Sequence, residues 1–423
     1  MTYNIELLGP WLHNRGDELM LEAVIRQYGG DRARLGISSN LGLDAFPPYP
    51  SLHNIKSHAA FASVSKELLK GNASQFARMV RDDILLRRNT EEDFYDRGWI
   101  PEPSLDLLLD ASGYAYGDPW SLVRTRDRAA YYARLKSRGT KIVILPQAFG
   151  PFEEPQRREA ARDLFSQCDI VFARDVPSRD YIEGLHLPGK PTIPIAPDIT
   201  TLLEVEAARA SQWAHCVAIV PNARMLDRTS DDVSGSYHEF LDRIARMTRA
   251  KGFEPLLVVH EKNDRSLIRD VAANMSHGCR IVDENARVTK GILGAVRGVV
   301  SSRYHACVSS LSQCVPTIAT SWHHKYELLF RDYDCEHMLV DPGAGDEVLE
   351  RAMDQFVHAK QLQHLRTRLE SRADSQKEEV RGMWAKVDDL LSPRGEQGAF
   401  PRATDGRSSR PRSEALLDES LNG

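Results

Sequence analysis

Short apolar runs alternate with segments of helical periodicity along nearly the whole chain. In the first half these runs are YNIELLG (3–9), LDLLLDAS (105–112), KIVILPQ (141–147) and DIVFARD (169–175). In the second half they are CVAIVPN (216–222), EPLLVVHE (254–261), CRIVDE (279–284), RGVVSS (297–302) and VPTIATS (315–321). Strands that are apolar throughout and separated by helices are typical of parallel sheets with helices on both faces. The pattern predicts an α/β fold with two such sheets.

The stretch PDITTLLEVEAARASQW interrupts this rhythm and divides the chain. We predict an N-terminal Rossmann-like domain over residues 1–200 and a C-terminal one over 210–391, with a cleft between them. Residues 41–103 lack a regular pattern and are interpreted as an insertion in the first domain. The helical pattern at 345–391 is expected to pack back across both domains. Residues 392–423 are rich in Pro, Gly, Ser and Arg and are predicted to be disordered.

Composition argues against several classes of function. The formal net charge is −5, and the body of the chain has no basic stripe, which argues against nucleic acid as a partner. No run approaches the roughly 20 apolar residues that a membrane-spanning helix needs. The N-terminus lacks the pattern of a secretory signal. We therefore expect a cytoplasmic protein whose contact with a membrane, if it has any, is peripheral.

The cysteine and histidine spacings predict no metal site. The chain has six cysteines without C-x-x-C spacing, which is typical of reduced thiols rather than of disulfides or a zinc site. Cys307 and Cys314 are interpreted as small apolar residues on a buried helix. His323 and His324 are adjacent, so their side chains point apart, and no carboxylate cluster accompanies them.

Polar residues that follow the apolar runs are the candidates for a ligand site. In open α/β sheets ligands bind beyond the carboxyl ends of the strands. The candidates at such positions are Asn14, Gly16, Asp17, Gln147, Arg174, Asn222, Arg303, His305 and Lys325. Asp110 and the pair His260-Glu261 follow other runs, and we assign no role to them.

Three cations at different strand ends suggest a site for a small polyanion. Arg174, Arg303 and Lys325 would converge there, and a helix that starts just after Arg303 would add free backbone N–H groups. A planar guanidinium suits carboxylate and phosphate oxygens. The alternative is that each cation pairs with a neighbouring acid such as Asp175 or Glu327.

Two further candidates each have a structural alternative. Asp17 stands where a helix is expected to start, so it and Gly16 could form only an N-cap and a turn. In the functional interpretation Asn14 and the backbone of Gly16 line the cleft. His305 could transfer a proton, because imidazole changes charge near neutral pH, or it could be a structural histidine beside a core helix.

Five motifs, taken together, resemble the polysaccharide pyruvyl transferase family. NRGDELML is similar to the N-x-G-D element of that family, LPQAFGPF to its P-Q-x-x-G-P-F turn, and ARDVPSRDYIEGL to its A-R-D-x-x-S segment. APDI is similar to its Pro-Asp pair. SSRYHACVSSLSQCVPTIATSWHHKYELL is similar to its R-L-H block, which G-V-P and a lysine follow. The resemblance covers roughly residues 5–330.

The resemblance implies a fold like that of the GT-B glycosyltransferases and an enzyme that moves the pyruvyl group of phosphoenolpyruvate onto sugar hydroxyls as a ketal, releasing phosphate. The acceptor would be a glycan or a lipid-linked sugar. Arg303 and His305 match the R-x-H of the family, which engages the donor, and Arg174 is our best match for its upstream arginine. This chemistry demands no cofactor or metal. His305 is our candidate for one of the proton transfers.

The chain departs from the family pattern at three places. Tyr304 replaces the usual leucine, Cys314 stands where glycine usually precedes Val-Pro, and the glycine-rich turn after DLLLD is reduced to Ser112-Gly113. The last change could alter the acceptor side of the cleft. Two other functions therefore stay open: a glycosyltransferase that uses a nucleotide sugar in the same cleft, and a non-catalytic binding protein on the same fold.

Overall fold

Twelve strands form the framework of the part of the chain that the structure describes. The computed structural model describes residues 2–9, 14–38, 52–56, 90–96, 98–205, 210–227, 229–275, 278–320 and 325–391. The strands are β1 (Tyr3–Leu8), β2 (Ala33–Ser38), β3 (Leu52–Lys56), β4 (Trp99–Pro101), β5 (Leu107–Asp110), β6 (Lys141–Gln147), β7 (Ile170–Ala173), β8 (Cys216–Val220), β9 (Glu254–Val258), β10 (Arg280–Val282), β11 (Gly298–Ser301) and β12 (Thr317–Ala319).

The strands assemble into two sheets whose pairs are all parallel. The first sheet has the order β4-β3-β2-β1-β5-β6-β7, and the second has the order β10-β9-β8-β11-β12. The expectation of an α/β fold with two parallel sheets is confirmed. The sheets use residues on either side of the predicted domain boundary, although the exact limits of the two domains stay a prediction.

Helices connect most of the strands, as parallel pairing requires. They are α1 (Arg15–Tyr28), α2 (Glu91–Tyr95), α3 (Leu122–Ser137), α4 (Pro155–Phe165), α5 (Val176–Glu183), α6 (Ala210–Trp213), α7 (Arg224–Asp227), α8 (Asp231–Ala250), α9 (Arg265–Asn274), α10 (Ala286–Ala295), α11 (Tyr304–Leu311), α12 (Lys325–Asp332), α13 (Asp346–Val357) and α14 (Ala359–Leu391). Among the described residues no helix is long and apolar enough to cross a membrane.

All nine apolar runs of the sequence are strands, but three strands were not predicted. β2 was missed because its sequence, ARLGIS, interrupts the apolar pattern with polar and small residues. β3 and β4 fall in the segment interpreted as an irregular insertion, and they extend the edge of the first sheet. That interpretation was wrong for residues 52–56 and 99–101. Most of the segment, including residues 57–89, and the predicted disordered tail lie outside the described residues.

The order of each sheet reverses at one point, and these points determine where a ligand can bind. In the first sheet the chain leaves β1 toward β2 on one side and returns to β5 on the other. In the second sheet β8 lies between β9 and β11 in the same manner. A crevice forms outside the carboxyl ends of the strands at such a switch point. Asn222 follows β8 and Arg303 follows β11, so both lie at the switch point of the second sheet.

Helix α14 packs against the hydrophobic cores of both halves. Leu365 and Leu369 belong to the core of the second half, whereas Met383 and Trp384 belong to the core under β1, β2 and β5. The ring of Trp384 meets that of Tyr28 edge-on, with centroids 5.6 Å apart. The expectation that the C-terminal helical segment packs across both domains is therefore confirmed.

The two cysteines expected on a buried helix differ in position. Cys307 is buried within α11, as expected. Cys314 follows the end of α11, is only partly buried, and has a φ of 61°. This left-handed conformation favours glycine, because a side chain there crowds the backbone. It explains why the motif that this segment resembles has glycine at this position.

Candidate active site

A contact between a carboxylate and an imidazole lies at the centre of the candidate site. Nε2 of His305 is 3.3 Å from Oδ2 of Asp198, and both side chains are largely buried. The other carboxylate oxygen of Asp198 accepts hydrogen bonds from the backbone N–H of Thr200 at 3.0 Å and from its hydroxyl at 2.7 Å. Burial raises the pKa of Asp198, but the charges of His305 and Arg174 outweigh it and lower that pKa well below its ordinary value. Asp198 is therefore ionised beside His305, although the contact lacks the geometry of a hydrogen bond and Nε2 of His305 has no hydrogen-bond partner among the described residues.

The first turn of α1 closes over the opposite side of His305. A Cβ atom added to Gly16 would lie 2.2 Å from Nδ1 of His305, so only glycine lets this backbone approach the ring. The N-cap of α1 is Asn14, whose Oδ1 accepts a hydrogen bond from the N–H of Gly16 at 2.8 Å. The prediction that Asp17 starts the helix was wrong, since α1 begins two residues earlier and Asp17 lies in its first turn. Gly16 thus lines the site, and Asn14 supports it.

Backbone contacts attach this turn to the second sheet. The N–H of Arg15 donates to the carbonyl of His260 at 3.0 Å, and Asn14 forms an isolated antiparallel bridge with Glu261. The carboxylate of Glu18 accepts a hydrogen bond from the N–H of Ala286, which begins α10, at 3.2 Å. The start of α1 is therefore the place where the first half contacts the ligand edge of the second.

Two of the three predicted cations converge on the ring of Tyr304. The guanidinium carbon of Arg174 lies 4.2 Å from the ring centroid, and Nζ of Lys325 lies 5.3 Å from it. Nη1 of Arg174 is also 3.9 Å from the carboxylate of Asp198. Burial and the positive charges of Arg174 and Arg303 lower the pKa of Lys325 from 10.5 to about 7. The structure therefore brings cations that follow β7 and β12 together on the ring that follows β11.

The third cation, Arg303, is paired with two acids in this structure. Its Nη1 contacts the carboxylate of Glu261 and its Nη2 contacts that of Asp264. The alternative that acids pair with the cations holds for Arg303, although the acids are not the neighbours considered from the sequence. Asp264 is fully buried and also accepts a hydrogen bond from the N–H of Ala223 at 2.9 Å, whereas the side chain of Glu261 is 17% exposed. The carboxylate of Asp264 is therefore held more firmly beside Arg303 than that of Glu261.

The remaining predicted residues, Asn222 and Gln147, differ in how their amides are used. The Asn222 side chain donates to the carbonyl of Ser302 at 2.8 Å and accepts from the N–H of Arg224 at 3.0 Å. Its amide thus joins the ends of β8 and β11, which is a structural role. Gln147 is completely buried at the end of β6, and neither atom of its amide has a hydrogen-bond partner among the described residues. Gln147 is not brought into contact with His305 by any interaction that the structure records for those residues.

Sequence reasoning missed two residues of this site, Asp198 and His260. Asp198 lies in the APDI motif, which was noted without a role, and His260 follows β9 at the ligand edge. His260 is buried, and neither ring nitrogen has a hydrogen-bond partner in the described part of the chain. Burial and the charges of Arg303, His305 and Arg15 lower its pKa well below the ordinary value, so its imidazole is neutral. The available signal for His260 was its position after a strand end, and for Asp198 it was the APDI motif itself.

The described residues contain no group of three or more His, Cys, Asp or Glu side chains that could bind a metal ion. The adjacent histidines at 323 and 324 lie outside the described residues. The charged groups recorded in the site are cations together with Asp198, Glu261 and Asp264, which pair with them. Such an arrangement suits an anionic ligand and a proton transfer at His305.

The sequence is similar to a known protein family. The sequence model of the polysaccharide pyruvyl transferase family matches residues 14–324. None of the curated proteins compared with the chain matches it in sequence.

Solved structures share the fold at low sequence identity. Alr3699/HepE from Anabaena in complex with UDP has a TM-score of 0.56 at 10% identity, with 92% of this chain and 99% of that chain covered. Os79 from O. sativa in complex with UDP has a TM-score of 0.51 at 11% identity, with 92% and 100% covered. UGT89C1 from Arabidopsis thaliana in complex with quercetin also has 0.51 at 11% identity, with 92% and 98% covered. At such identities the likeness concerns the fold alone, and it confirms the expected GT-B-like architecture.

The close approach of Gly16 to His305 predicts a specific coupling. Gly16→Ala should lower the free energy of unfolding by about 1–3 kcal/mol, because the new methyl group must displace the imidazole or α1. In a His305→Ala background the same change should cost little, since the space beside Gly16 is then open. Urea unfolding of the parent, the two single variants and the double variant measures this coupling.

Gly382→Ala is the matched control, because a Cβ atom there meets nothing within 4 Å. It should leave stability unchanged or raise it slightly, as expected for a helical alanine. An equal cost of Gly16→Ala in both backgrounds would contradict the coupling.

Proposed function

The chain belongs to the polysaccharide pyruvyl transferase family, and we propose that it transfers the pyruvyl group of phosphoenolpyruvate to two hydroxyls of a glycan or a lipid-linked sugar as a ketal. The observation that carries this proposal is the convergence of Arg174, Lys325 and His305 between the two halves, with Arg303 close enough for its charge to act on Lys325. Phosphoenolpyruvate carries a phosphate and a carboxylate on neighbouring groups. A partly buried region with several cations favours such an anion more strongly than water does.

In this proposal the donor lies over Tyr304, between Arg174 and Lys325. The ring of Tyr304 keeps both cations in place, so binding the donor requires little reorganisation of their side chains. His305 follows Tyr304 in the first turn of α11 and is next to the same region. The donor phosphate or carboxylate would also meet the N–H groups at the start of that helix, where the helix dipole favours negative charge.

Arg303 binds the donor by giving up its contact with Glu261 for a contact with an anionic group of phosphoenolpyruvate. The buried carboxylate of Asp264 keeps its contact with Nη2, whereas the partly exposed carboxylate of Glu261 gives up Nη1 to an anionic group of the donor. Because both ligands are anions on the same guanidinium, Glu261 and the donor compete. Glu261 also bridges to Asn14 through its backbone, so this exchange takes place where the two halves meet.

The reaction adds two sugar hydroxyls to one carbon and releases phosphate. The C3 methylene of phosphoenolpyruvate gains a proton, and the first hydroxyl oxygen bonds to C2. The bond between C2 and the phosphate oxygen then breaks, the phosphate leaves with the electron pair, and the second hydroxyl oxygen bonds to C2. The hydroxyls lose two protons, of which one balances the proton gained by C3 and the other leaves with the phosphate. No atom is oxidised by an external reagent, so the proposal includes no cofactor.

His305 carries a proton in this scheme, and Asp198 positions it. An ionised carboxylate beside an imidazole fixes the ring orientation and compensates its charge when it is protonated. A well-placed acid or base contributes about 10²–10⁴-fold to a rate. The second candidate function is transfer from a nucleotide sugar, and the structural neighbours that were solved with UDP favour it as the alternative to test.

The direct test is incubation of the protein with phosphoenolpyruvate and a panel of glycans. We expect release of inorganic phosphate and a glycan whose mass has increased by a pyruvyl ketal, and no transfer from UDP-glucose. His305→Gln should keep most of the donor affinity while turnover falls by about 10²-fold or more, because glutamine cannot transfer the proton. Mass spectrometry of the glycan measures turnover, and calorimetry measures the donor affinity. Transfer from UDP-glucose without any use of phosphoenolpyruvate would overturn the proposal.

Exchange at Arg303 predicts opposite effects for its two acids. Glu261→Gln should tighten phosphoenolpyruvate binding by roughly two- to fivefold, because the change removes a competing charge from a partly exposed ion pair. Asp264→Asn should weaken binding at least about tenfold, because a buried charge loses its partner and the guanidinium loses its support. Calorimetric titration measures the affinity of each variant for phosphoenolpyruvate, and thermal unfolding shows whether the variant is still folded. Weaker donor binding in Glu261→Gln would show that Glu261 only positions Arg303.

The lowered pKa of Lys325 predicts that donor binding depends on pH. Below about pH 7 Lys325 carries its proton and attracts the donor, and above about pH 7 it is neutral. The affinity for phosphoenolpyruvate should therefore fall as the pH rises from 6 to 8. Lys325→Met should remove this contribution and so make the affinity less dependent on pH over that range. Identical pH profiles of the two proteins would show that Lys325 does not contact the donor.

A further inference from the structure

Exposed aromatic side chains collect at one part of the ligand edge of the first sheet. The loops after β5, β6 and β7 are neighbours there, because these strands are adjacent in the sheet. Trp120 is 39% exposed, Tyr181 is 40% exposed and Val176 is 49% exposed. We call the surface formed by Tyr114, Trp120 and Tyr181, which are linked through Gly150, the aromatic platform. None of these residues belongs to the donor region described above.

The rings of the platform form a cluster, whereas three other exposed apolar side chains lie singly in the second half. The large apolar side chains that are exposed among the described residues are Trp120, Val123, Val176, Tyr181, Ile195, Leu226, Ile281 and Val348. Leu226, Ile281 and Val348 come from α7, β10 and α13 of the second half. Isolated exposed apolar residues are normal on protein surfaces, but a contiguous patch marks a binding surface.

Hydrogen bonds and ring contacts fix the platform in place. The rings of Tyr114 and Trp120 meet edge-on with centroids 5.4 Å apart, and the hydroxyl of Tyr114 donates to the carbonyl of Gly150 at 3.1 Å. The ring of Tyr181 packs directly on Gly150, where an added Cβ atom would lie 2.6 Å from the ring. Gly150 has a φ of 75°, which few other residues adopt. The surface is therefore preformed, which limits the entropy lost on binding.

The loop that carries Trp120 is also fastened to its neighbour. The N–H of Asp118 donates to the carbonyl of Pro151 at 3.1 Å, and its carboxylate accepts from the N–H of Glu153 at 3.0 Å. The guanidinium of Arg157 contacts the carbonyl of Trp120. Polar groups thus border the aromatic faces on the side of the β6 loop.

The platform leads away from the donor region along α5. Val176, the first residue of α5, is two residues after Arg174, whose guanidinium lies over Tyr304. Tyr181 is five residues further on, a rise of about 7.5 Å along the helix axis. A ligand that reacts beside Arg174 and His305 and continues over α5 would therefore extend toward Tyr181.

We propose that the aromatic platform binds the sugar units of the acceptor that adjoin the unit receiving the pyruvyl group. A pyranose ring has an apolar C–H face and hydroxyls at its rim, which matches aromatic faces bordered by hydrogen-bonding groups. This inference rests on the proposed function only in taking the acceptor to be a glycan. It makes the enzyme selective for acceptors of more than one unit, because a single sugar at the reacting position does not reach Tyr181.

The test is binding of the full-length chain to an array of mono- to hexasaccharides of common hexoses and N-acetylhexosamines. We expect binding that increases with chain length. Trp120→Ala and Tyr181→Ala should each weaken binding of the longer glycans by roughly three- to tenfold, as for loss of one aromatic contact. Tyr181→Phe should retain binding because it keeps the ring, and Val348→Ala is the control for an exposed apolar residue elsewhere.

Several outcomes would show that the aromatic platform does not bind the acceptor. Equal losses for single sugars and hexasaccharides, unchanged binding in both alanine variants, or no glycan binding by the parent protein would overturn the inference. If the alanine changes instead abolish binding to lipid vesicles, the surface contacts a membrane and the inference is wrong. If they abolish a dimer that the parent protein shows in sedimentation, the surface contacts a second copy and the inference is also wrong. Calorimetry with phosphoenolpyruvate tests the donor separately. A parent that binds long glycans but not phosphoenolpyruvate would contradict the proposed function and leave the platform standing.

Discussion

The buried carboxylate of Asp198 is the contact on which the rest of the site depends. It follows the first sheet in sequence, yet it is within 3.3 Å of His305 from the second half and 3.9 Å of Arg174 from the first. A buried carboxylate without partners would be strongly destabilising, so these contacts and the hydrogen bonds from Thr200 are required for it to remain charged. The same charge therefore contacts residues of both halves at the place where they meet.

The strands and several site residues could be predicted because local pattern determines them. An apolar run followed by Arg303 and His305 places both residues at the ligand edge, whatever the rest of the chain does. The partners of these residues could not be predicted in this way. Glu261 and Asp264 pair with Arg303 across about forty positions of sequence, and such pairings depend on how β9 and β11 are ordered in the sheet. The strand β3 was missed for a local reason, because its sequence, LHNIK, interrupts the apolar pattern with polar residues.

Two departures from the family motifs have different physical consequences. Tyr304 replaces an aliphatic residue by a ring that two cations share, which reduces their mutual repulsion by giving each an attractive contact. Cys314 retains the left-handed backbone that its position requires but adds a side chain, which carries a small energetic cost. The first change affects the charged region directly. The second is a tolerated strain at the turn before β12.

Helix α14 contributes side chains to the cores of both halves, and this affects the order in which the chain can fold during synthesis. Domains of a multidomain chain generally fold one after another as they leave the ribosome. Here the core beneath β1 lacks Met383 and Trp384 until the second sheet, which precedes them in the chain, has been synthesised. The N-terminal half must therefore wait, with part of its apolar surface uncovered, while the whole second half is synthesised. Chaperone binding during that interval would protect a surface that the finished molecule never exposes.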